Sequence, residues 1–263
     1  MTRIGQLFER LRAENRRGMI AYLTAGDPTP DATPGLVAAL ERGGADLIEL
    51  GVPFSDPIAD GPVIQLAGDR AIRAGTTVAR VLAIAAKIRE TSQIPLLLFT
   101  YLNPALRYGF ERLARDAKAA GIDGCLLTDV SVEEAADYVK VMRESGIDTV
   151  FLATPTSTDQ RLKLVAQYSS GFVYLVSRTG ITGEQQTVSD TALPLIERMR
   201  TLTDLPLAMG FGISTAPQVE AIAKHADAVV VGSAIVRQIE KDPAGLEAFM
   251  RDLARPLGKA AIS

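Results

Sequence analysis

The chain has little cysteine and little histidine. Its 263 residues contain one of each, so an internal disulfide cannot form and a transition-metal site, which usually takes several such ligands, is not expected. Cys125 is followed by two leucines, which predicts a thiol buried in a strand and is typical of the reducing cytoplasm. His225 comes at the end of a helical pattern, where we expect it at the surface or as a cap.

Charge of one sign and long apolar runs are also lacking. The 28 basic and 31 acidic side chains give a formal net charge of −3, and the basic residues form no block. Nucleic acid and anionic membranes are therefore poor partners. No apolar run approaches the roughly 20 residues of a membrane span. The amphipathic, charged start of the chain lacks the apolar segment of a secretion signal.

What the sequence has in quantity is short apolar runs rich in branched residues. Eight of them are predicted to be strands, at 19–24, 46–51, 94–100, 124–128, 148–153, 172–177, 206–210 and 228–232. Amphipathic helical patterns alternate with them, at 34–42, 78–90, 110–120, 132–144, 160–167, 193–200, 217–225 and 244–253, after an N-terminal helix. Continuous apolar strands indicate a parallel sheet covered on both faces. We therefore predict a single α/β domain over residues 1–263, a (β/α)8 TIM barrel rather than a doubly wound open sheet.

Two connections between a strand and the next helix are unusually long, at 53–77 after strand 2 and at 178–192 after strand 6. In a barrel such loops lie at the C-terminal ends of the strands, where ligands bind. The P-loop, the GxSxG elbow and a GxGxxG in the first βα turn are all missing. None of the predicted strands contains the lysine that a Schiff-base aldolase needs. The chemistry is therefore expected in other groups near these two loops.

Carboxylates near the second strand are the candidate acids and bases. Glu49 lies close to the end of an apolar strand, where it is either paired with a lysine or arginine or acts as a general acid with a raised pKa. Asp60 follows in the proline-stiffened stretch GVPFSDPIADGP and either caps a turn or acts on the substrate. Asp56 has the same turn alternative, and a partner contact is as plausible there as catalysis.

Glycines at the ends of the late strands predict a phosphate site. Gly183 follows the sixth strand, Gly212 the seventh and Gly232 the eighth, and Ser233 begins a helix. Backbone amides at such a helix start, together with the serine hydroxyl, can hold an anion. Each glycine alone is more often a turn, but together they indicate phosphate binding.

Four segments of the chain resemble one known family. The longest reads LIELGVPFSDPIADGPVIQ, with YLTAGDP before it and SRTGITG and GFGIS after it. In this order and at this spacing they resemble the tryptophan synthase alpha subunit family, over essentially the whole chain. The PFSDPIADGP string is far more specific than a three-glycine motif.

The resemblance implies a lyase of tryptophan biosynthesis that cleaves indole-3-glycerol phosphate to indole and glyceraldehyde 3-phosphate. Glu49 would protonate C3 of the indole and take the proton of the glycerol hydroxyl, and Asp60 would stabilise the charge that develops at the ring nitrogen. The resemblance also implies a cytoplasmic α2β2 heterotetramer. The beta subunit would hold pyridoxal phosphate, and this chain would need neither metal nor coenzyme.

The resemblance further implies three sets of binding residues. The substrate pocket corresponds to Tyr22, Thr24, Phe99, Thr100, Tyr101, Leu126 and Tyr174, with Thr182 on a loop that closes over the substrate. The phosphate site corresponds to Gly183, Gly212, Gly232 and Ser233. The surface that faces the beta subunit corresponds to Asp56 and to a turn at Asn103 and Pro104.

Two positions depart from the family pattern. Tyr22 stands where many relatives have phenylalanine, and Ser131 stands where proline is usual, so the loop after the fourth strand is expected to be looser.

Two other functions share the same residues: a free-standing lyase that needs no partner, and a subunit that mainly activates its partner. Intact Glu49, Asp60 and Thr182 argue against the second of these.

Overall fold

The structure is a computed structural model that describes residues 1–176, 192–210 and 212–258. Within these ranges, nine strands form one parallel sheet: β1 (Gly18–Thr24), β2 (Leu47–Gly51), β3 (Leu96–Thr100), β4 (Gly124–Leu127), β5 (Asp148–Val150), β6 (Leu152–Ala153), β7 (Val173–Val176), β8 (Leu207–Gly210) and β9 (Ala228–Val231). The first strand, β1, pairs with both β2 and β9. The beginning and the end of the chain therefore meet inside the sheet.

The sheet closes into a barrel at the fifth predicted strand. This segment is divided into β5, which pairs with β4, and β6, which pairs with β7. Phe151 lies between the two pieces, and its side chain packs outward against Tyr138 and Tyr168. The predicted (β/α)8 barrel is confirmed, with its fifth strand interrupted where the chain changes its pairing partner.

Helices cover the outside of the barrel. They are α1 (Arg3–Ala13), α2 (Thr33–Gly43), α3 (Pro62–Arg73), α4 (Val78–Arg89), α5 (Leu102–Tyr108), α6 (Phe110–Ala119), α7 (Ala136–Glu144), α8 (Asp159–Tyr168), α9 (Ala192–Arg200), α10 (Ala216–Ala223), α11 (Ser233–Lys241) and α12 (Leu246–Ala254). The hydroxyls of Thr2, Thr77 and Thr158 accept backbone hydrogen bonds at the starts of α1, α4 and α8. Such caps satisfy amides that have no partner within the helix.

Side chains alternate along each strand between two apolar layers. On β1, Ala21 and Leu23 pack toward the helices, whereas Ile20 and Tyr22 belong to the clusters inside the barrel. On β2, Leu47 belongs to the interior cluster. The same alternation directs Glu49 into the barrel.

The N-terminal end of the barrel is closed by α1 and by ion pairs. Apolar residues of α1 pack under the interior cluster, namely Ile4, Leu7, Phe8 and Leu11. Aspartates that precede strands are paired with arginines, including Asp46 with Arg16 at 3.1 Å and Asp227 with Arg200 at 2.7 Å. A ligand therefore has to enter the barrel from the C-terminal ends of the strands, as it does in barrel enzymes generally.

Two connections differ in detail from the sequence-based expectation. The 53–77 connection is long, but its second half is α3, which begins at Pro62 because a proline needs no N–H at the first position of a helix. Asn103 and Pro104, predicted to form a turn, lie in α5 instead. That prediction was wrong, since a proline in the first turn of a helix removes an N–H that would have no helical acceptor. Of the 178–192 connection, only Ala192 at the start of α9 is within the described residues.

Candidate active site

Glu49 is a buried carboxyl inside the barrel, two residues before the end of β2. Its residue surface is 1% exposed, and its Oε1 has no hydrogen-bond partner among the described residues. Burial raises the pKa of Glu49 to about 8, because the charged form loses its hydration. The alternative of a pairing lysine or arginine finds no support in the described part of the chain. A carboxyl that is protonated near neutral pH can act as a general acid.

Asp60 is held above the mouth by hydrogen bonds to its side chain and its backbone. The hydroxyl of Tyr101 donates to Oδ2 of Asp60 at 2.9 Å and accepts from the backbone N–H of Ala59 at 3.1 Å. The side chain of Gln65 donates to the carbonyl of Asp60 at 2.9 Å. Burial raises the pKa of Asp60 to about 6, and the bond from Tyr101 opposes this rise. Asp60 is therefore more acidic than Glu49, which allows the two carboxyls to hold different charges at the same pH.

Two buried tyrosines lie within electrostatic reach of these carboxyls. Tyr22 is the register partner of Glu49 across β1 and β2. Burial raises the pKa of Tyr22, and the charges of Asp60 and Glu49 raise it further. Burial and then the charge of Glu49 likewise raise the pKa of Tyr174, whose hydroxyl fills the space where Gly210 lacks a Cβ. Both phenols stay protonated and can donate hydrogen bonds to a ligand.

The wall of the mouth is apolar and aromatic. The rings of Tyr22 and Phe99 meet edge to face, with centroids 5.2 Å apart. Side chains from α3 and α11 complete this cluster, namely Val63, Ile64, Ala67 and Val236. Leu126 lies in the interior cluster, against which Phe99 also packs. A flat aromatic ligand fits such a lining.

Two of the predicted phosphate residues, Gly232 and Ser233, lie beside this pocket. Gly232 precedes α11, and Ser233 is the first residue of that helix. A Cβ placed on Gly232 would lie 3.6 Å from the Cβ of Tyr22, so the start of α11 borders the aromatic wall. Gly212, with φ 76°, follows β8 at the surface. The first N–H groups of α11, for which a helix provides no internal acceptor, can receive an anion there.

Not every predicted residue is placed in the pocket. Thr182 and Gly183 lie outside the described residues. Thr24 lies 3.4 Å from the hydroxyl of Tyr22, Oγ1 to Oη. Thr100 is buried at the end of β3, where strand alternation puts its side chain on the helix-facing side, opposite to Phe99.

Two of the three predicted partner residues, Asp56 and Asn103, are exposed. The side chain of Asp56 accepts from the hydroxyl of Ser55 at 2.6 Å, and Asn103 lies on the surface of α5. Pro104 is half-buried. Two large apolar side chains in the same segments, Ile58 and Leu106, are 83% and 54% exposed. The sequence reading did not select these two, because exposure is not visible in a short mixed segment.

The sequence reading also missed the pocket residues of α3. A usable signal existed: Pro62 is typical of a helix start, and the apolar residues Val63, Ile64, Ala67 and Ala71 follow at helical spacing. The prolines at 53 and 57 instead indicate an irregular loop over this segment. The pocket predicted from the sequence therefore lacks the side chains that α3 contributes.

No helix in the described part of the chain is long and apolar enough to cross a membrane. Within the same ranges, no three histidine, cysteine or acidic side chains are grouped so that they could hold a metal ion.

Comparisons with known proteins show relatives that match along nearly the whole chain. A family model described as tryptophan synthase alpha chain matches residues 8–261. The chain is 66% identical to the tryptophan synthase alpha chain of Solibacter usitatus (strain Ellin6076), over 99% of this chain and 100% of that one. It is 47% identical to the alpha chain of Geotalea uraniireducens (strain Rf4), over 92% and 90% of the two chains.

Solved structures share the same barrel. Mycobacterium tuberculosis tryptophan synthase superposes with a TM-score of 0.92 at 37% identity, over 98% of this chain and 99% of that one. Tryptophan synthase subunit alpha from Legionella pneumophila str. Paris gives a TM-score of 0.90 at 34% identity, with 98% of each chain covered. The likeness therefore extends from end to end of the barrel.

Proposed function

We propose, since the chain belongs to the tryptophan synthase alpha chain family, that Glu49 and Asp60 are the acid–base pair of its reaction. The chain is a carbon–carbon lyase of L-tryptophan biosynthesis, which cleaves indole-3-glycerol phosphate to indole and glyceraldehyde 3-phosphate. The observation that carries the residue assignment is the pair of carboxyls at one barrel mouth, with pKa values raised to about 8 and about 6. Glu49 holds a proton at a pH at which Asp60 is ionised.

Glu49 supplies and removes protons at the bond that breaks. Cleavage of the C3–C1′ bond requires a proton on C3 of the indole, so that the ring leaves as a neutral molecule. Protonated Glu49 donates it, and the resulting carboxylate takes the proton of the C1′ hydroxyl as that oxygen becomes the aldehyde. The proton count closes, and Glu49 returns to its starting form.

Asp60 acts at the other end of the indole. Protonation at C3 places positive charge on the ring nitrogen, and a carboxylate beside the N–H stabilises that charge. The hydrogen bond from Tyr101 lowers the pKa of Asp60, against the larger effect of burial, and fixes the orientation of the carboxyl. The site needs no coenzyme for these steps.

The remaining predicted residues bind and enclose the substrate in this proposal. Tyr22, Phe99, Leu126 and Tyr174 line the indole and glycerol pocket, with Thr24 and Tyr101 at its edge, whereas the helix-facing Thr100 supports the wall from behind Phe99. Gly183, Gly212, Gly232 and Ser233 hold the phosphate, and Thr182 orients a carboxylate when its loop closes.

The exposed apolar side chains beside the mouth support a partner at this face. We propose that a tryptophan synthase beta subunit docks on Asp56, Asn103, Pro104 and the neighbouring Ile58 and Leu106. In the resulting α2β2 assembly of the cytoplasm, indole passes to the beta subunit, whose pyridoxal phosphate supplies the second reaction. Exposed apolar surface of this kind is typical of protein interfaces.

Indole release from indole-3-glycerol phosphate tests the proposal. Glu49→Gln and Asp60→Asn should each lower kcat by about 10² to 10⁴, the range of general acid–base contributions. Glu90→Gln, at an exposed carboxyl that directly follows α4, is the matched control and should leave kcat unchanged. Full turnover in Glu49→Gln would remove Glu49 from the mechanism.

A titration with a beta subunit separates the alternatives for coupling. A rate that rises with added beta subunit supports the partnered lyase. A high rate that does not respond would instead indicate a free-standing lyase. An isolated chain without measurable turnover, combined with activation of the beta reaction, would indicate a subunit whose main role is activation.

A further inference from the structure

Arg70 of α3 connects three segments around the barrel mouth. Its Nε donates to Oδ1 of Asp27 at 2.7 Å and its Nη2 donates to Oδ2 of the same residue at 2.9 Å. Its remaining nitrogen, Nη1, donates to Oε1 of Glu240 at 2.9 Å. Asp27 follows β1 and Glu240 lies in α11, so one guanidinium joins the β1 loop, α3 and α11.

We call Arg70 with its two carboxylate partners the fork, and each partner one of its arms. The Asp27 arm lies on a loop that is held by further hydrogen bonds. Asp27 is 3% exposed, and its backbone N–H donates to the carbonyl of Thr24 at 3.2 Å. The preceding N–H, of Gly26, donates to the hydroxyl of Thr33 at 3.0 Å. A bidentate bond between arginine and a carboxylate fixes both distance and angle. The fork therefore anchors α3 to a segment that cannot easily follow it.

The helix that Arg70 anchors leads directly from Asp60. α3 begins two residues after Asp60, and its Gln65 donates to the Asp60 carbonyl. The inner face of α3 packs on Tyr22 and Phe99 through its apolar residues. A shift of α3 would therefore carry Asp60 with it, relative to the strand that holds Glu49.

The Glu240 arm reaches the helix that begins at the phosphate residues. Glu240 lies seven residues after Ser233 in α11, which is about two helical turns, so both residues are on the same side of the helix. α3 and α11 also pack together through Ala67 and Val236. The fork thus ties the segment of Asp60 to the segment of Ser233.

We propose that Arg70 is a positioning residue, whose two-carboxylate fork sets the separation between Asp60 and the phosphate-binding start of α11. The inference rests on the proposed function, in which Asp60 and Ser233 act on opposite ends of one substrate. Because that substrate has a limited reach, its two ends are bound together only when the two segments keep their distance. A misplacement of about 1 Å in an active site can cost roughly 10²-fold in rate.

Kinetics of four variants test this role. Arg70→Gln removes the fork, Arg70→Lys keeps the charge without the bidentate geometry, Asp27→Asn weakens the β1 arm, and Glu240→Gln weakens the α11 arm. Arg42→Gln is the matched control, since Arg42 bonds Glu247 at 2.8 Å between α2 and α12, away from α3. Circular dichroism and Tm establish that each variant is folded at the assay temperature.

We expect the variants to lower kcat/KM for the whole substrate while leaving the binding of its phosphate fragment, glycerol 3-phosphate, nearly unchanged. Arg70→Gln should lower kcat/KM tenfold to a hundredfold, with Arg70→Lys in between and Arg42→Gln within twofold of the unmodified chain. Glu240→Gln should mainly raise KM, and Asp27→Asn should mainly lower kcat. The inhibition constant of glycerol 3-phosphate, which needs only the phosphate end, should change less than twofold in Arg70→Gln.

Two results would overturn the inference. If Arg70→Gln lowers Tm but leaves kcat and KM unchanged, the fork only stabilises the fold. If glycerol 3-phosphate binding weakens as much as substrate binding, the phosphate site itself is damaged and separation is not the cause. Should Arg70→Gln fail to fold, the exposed Glu240→Gln decides by the same criteria.

Asp60→Asn, measured in the same assay, distinguishes a failure of the proposed acid–base pair from a failure of the proposed role of Arg70. Wild-type turnover in Asp60→Asn would remove the proposed acid–base pair itself. An inactive Asp60→Asn with a fully active Arg70→Gln would remove only the role of Arg70.

Discussion

The hydroxyl of Tyr22 occupies the space above Gly51 in which any other residue would carry its Cβ. Both side-chain positions face the inside of the barrel, on neighbouring strands β1 and β2. Gly51 is two residues after Glu49 on the same strand, so the tyrosine that fills its space also lies beside the candidate acid. The small residue at position 51 is what allows a tyrosine, rather than a shorter side chain, in this part of the pocket.

The first prediction concerns this pair. Gly51→Ala should destabilise the fold by about 1–3 kcal/mol, the usual cost of overpacking, and should lower kcat/KM because Tyr22 must leave its place beside Glu49. Urea unfolding and the indole assay measure the two effects.

Two further variants control this prediction. Gly35→Ala, in α2 with no atom near its missing Cβ, should leave activity intact and should stabilise by about 0.5–1 kcal/mol. Tyr22→Leu should relieve the cost of Gly51→Ala in the double variant. If the Gly51→Ala variant were as stable and active as the unmodified chain, the predicted clash between the added Cβ and the hydroxyl of Tyr22 would be contradicted.

The second prediction is a bell-shaped pH profile of kcat/KM. The acid limb should lie near pH 6, where Asp60 takes up a proton and loses its negative charge, because the pKa of Asp60 is raised to about 6. The alkaline limb should lie near pH 8, where Glu49 loses the proton that it donates, because its pKa is raised to about 8. A profile that stays flat across both values would contradict these assignments.

The third prediction is that replacing Tyr101 shifts the acid limb of the pH profile of kcat/KM. Its hydrogen bond opposes the rise in the pKa of Asp60, so Tyr101→Phe should raise that pKa above about 6. The activity of the variant should therefore fall more steeply near pH 6 than near pH 7.5, relative to the unmodified chain. Tyr108→Phe, at a phenol that donates to Asp116 outside the site at 2.8 Å, should leave the limb in place.

The fourth prediction is that Glu49→Gln stabilises the fold at alkaline pH. The folded pKa of Glu49 is raised from 4.5 to about 8. The native state therefore binds more protons than the unfolded state between these values, and its stability falls as pH rises through them. A glutamine has no such loss, so the gain should be largest above about pH 8 and should vanish near pH 4.5. Urea unfolding at several pH values measures it, and a gain that is equal at all pH values would exclude titration as the cause.

The fifth prediction separates stability from activity. Arg89, whose side chain is 11% exposed, pairs with Asp123 at 2.8 Å and donates to the carbonyl of Gly121 at 2.9 Å. Arg89→Met should destabilise the fold by about 2 kcal/mol, because the buried Asp123 would lose one arginine partner while keeping Arg3 at 2.9 Å, and the carbonyl of Gly121 would lose its donor. The value of kcat/KM should stay unchanged, since the pair lies at the opposite end of the barrel. Arg255→Met, at an exposed pair, should cost less than about 0.5 kcal/mol. A change in kcat/KM without loss of stability would contradict this division.

The barrel and part of the candidate site were predictable from local pattern. Eight apolar runs alternating with helical periods indicate the fold, since burial on both faces of a strand leaves its mark on consecutive residues. Glu49 stands out for the same reason, as a charge in an apolar strand close to its end. The residue-level roles of Glu49 and Asp60 stay predictions.

The contacts that position the site were not predictable in this way. Tyr101 and Asp60 are 41 residues apart in sequence, Arg70 and Asp27 are 43 apart, and Arg70 and Glu240 are 170 apart. Apart from the resemblance that PFSDPIADGP carries, nothing in the neighbourhood of Asp60 distinguishes it from a turn residue until Tyr101 is placed against it.

The sequence by itself therefore determined the periodicity, the closed barrel and the strand that carries Glu49, because these depend on which residues are buried along one segment. Only the tertiary structure decided which tyrosine holds Asp60, which glycine makes room for Tyr22 and which carboxylates Arg70 joins. These pairings depend on the closure of the barrel, which brings distant strand ends to one rim at distances that no local pattern encodes.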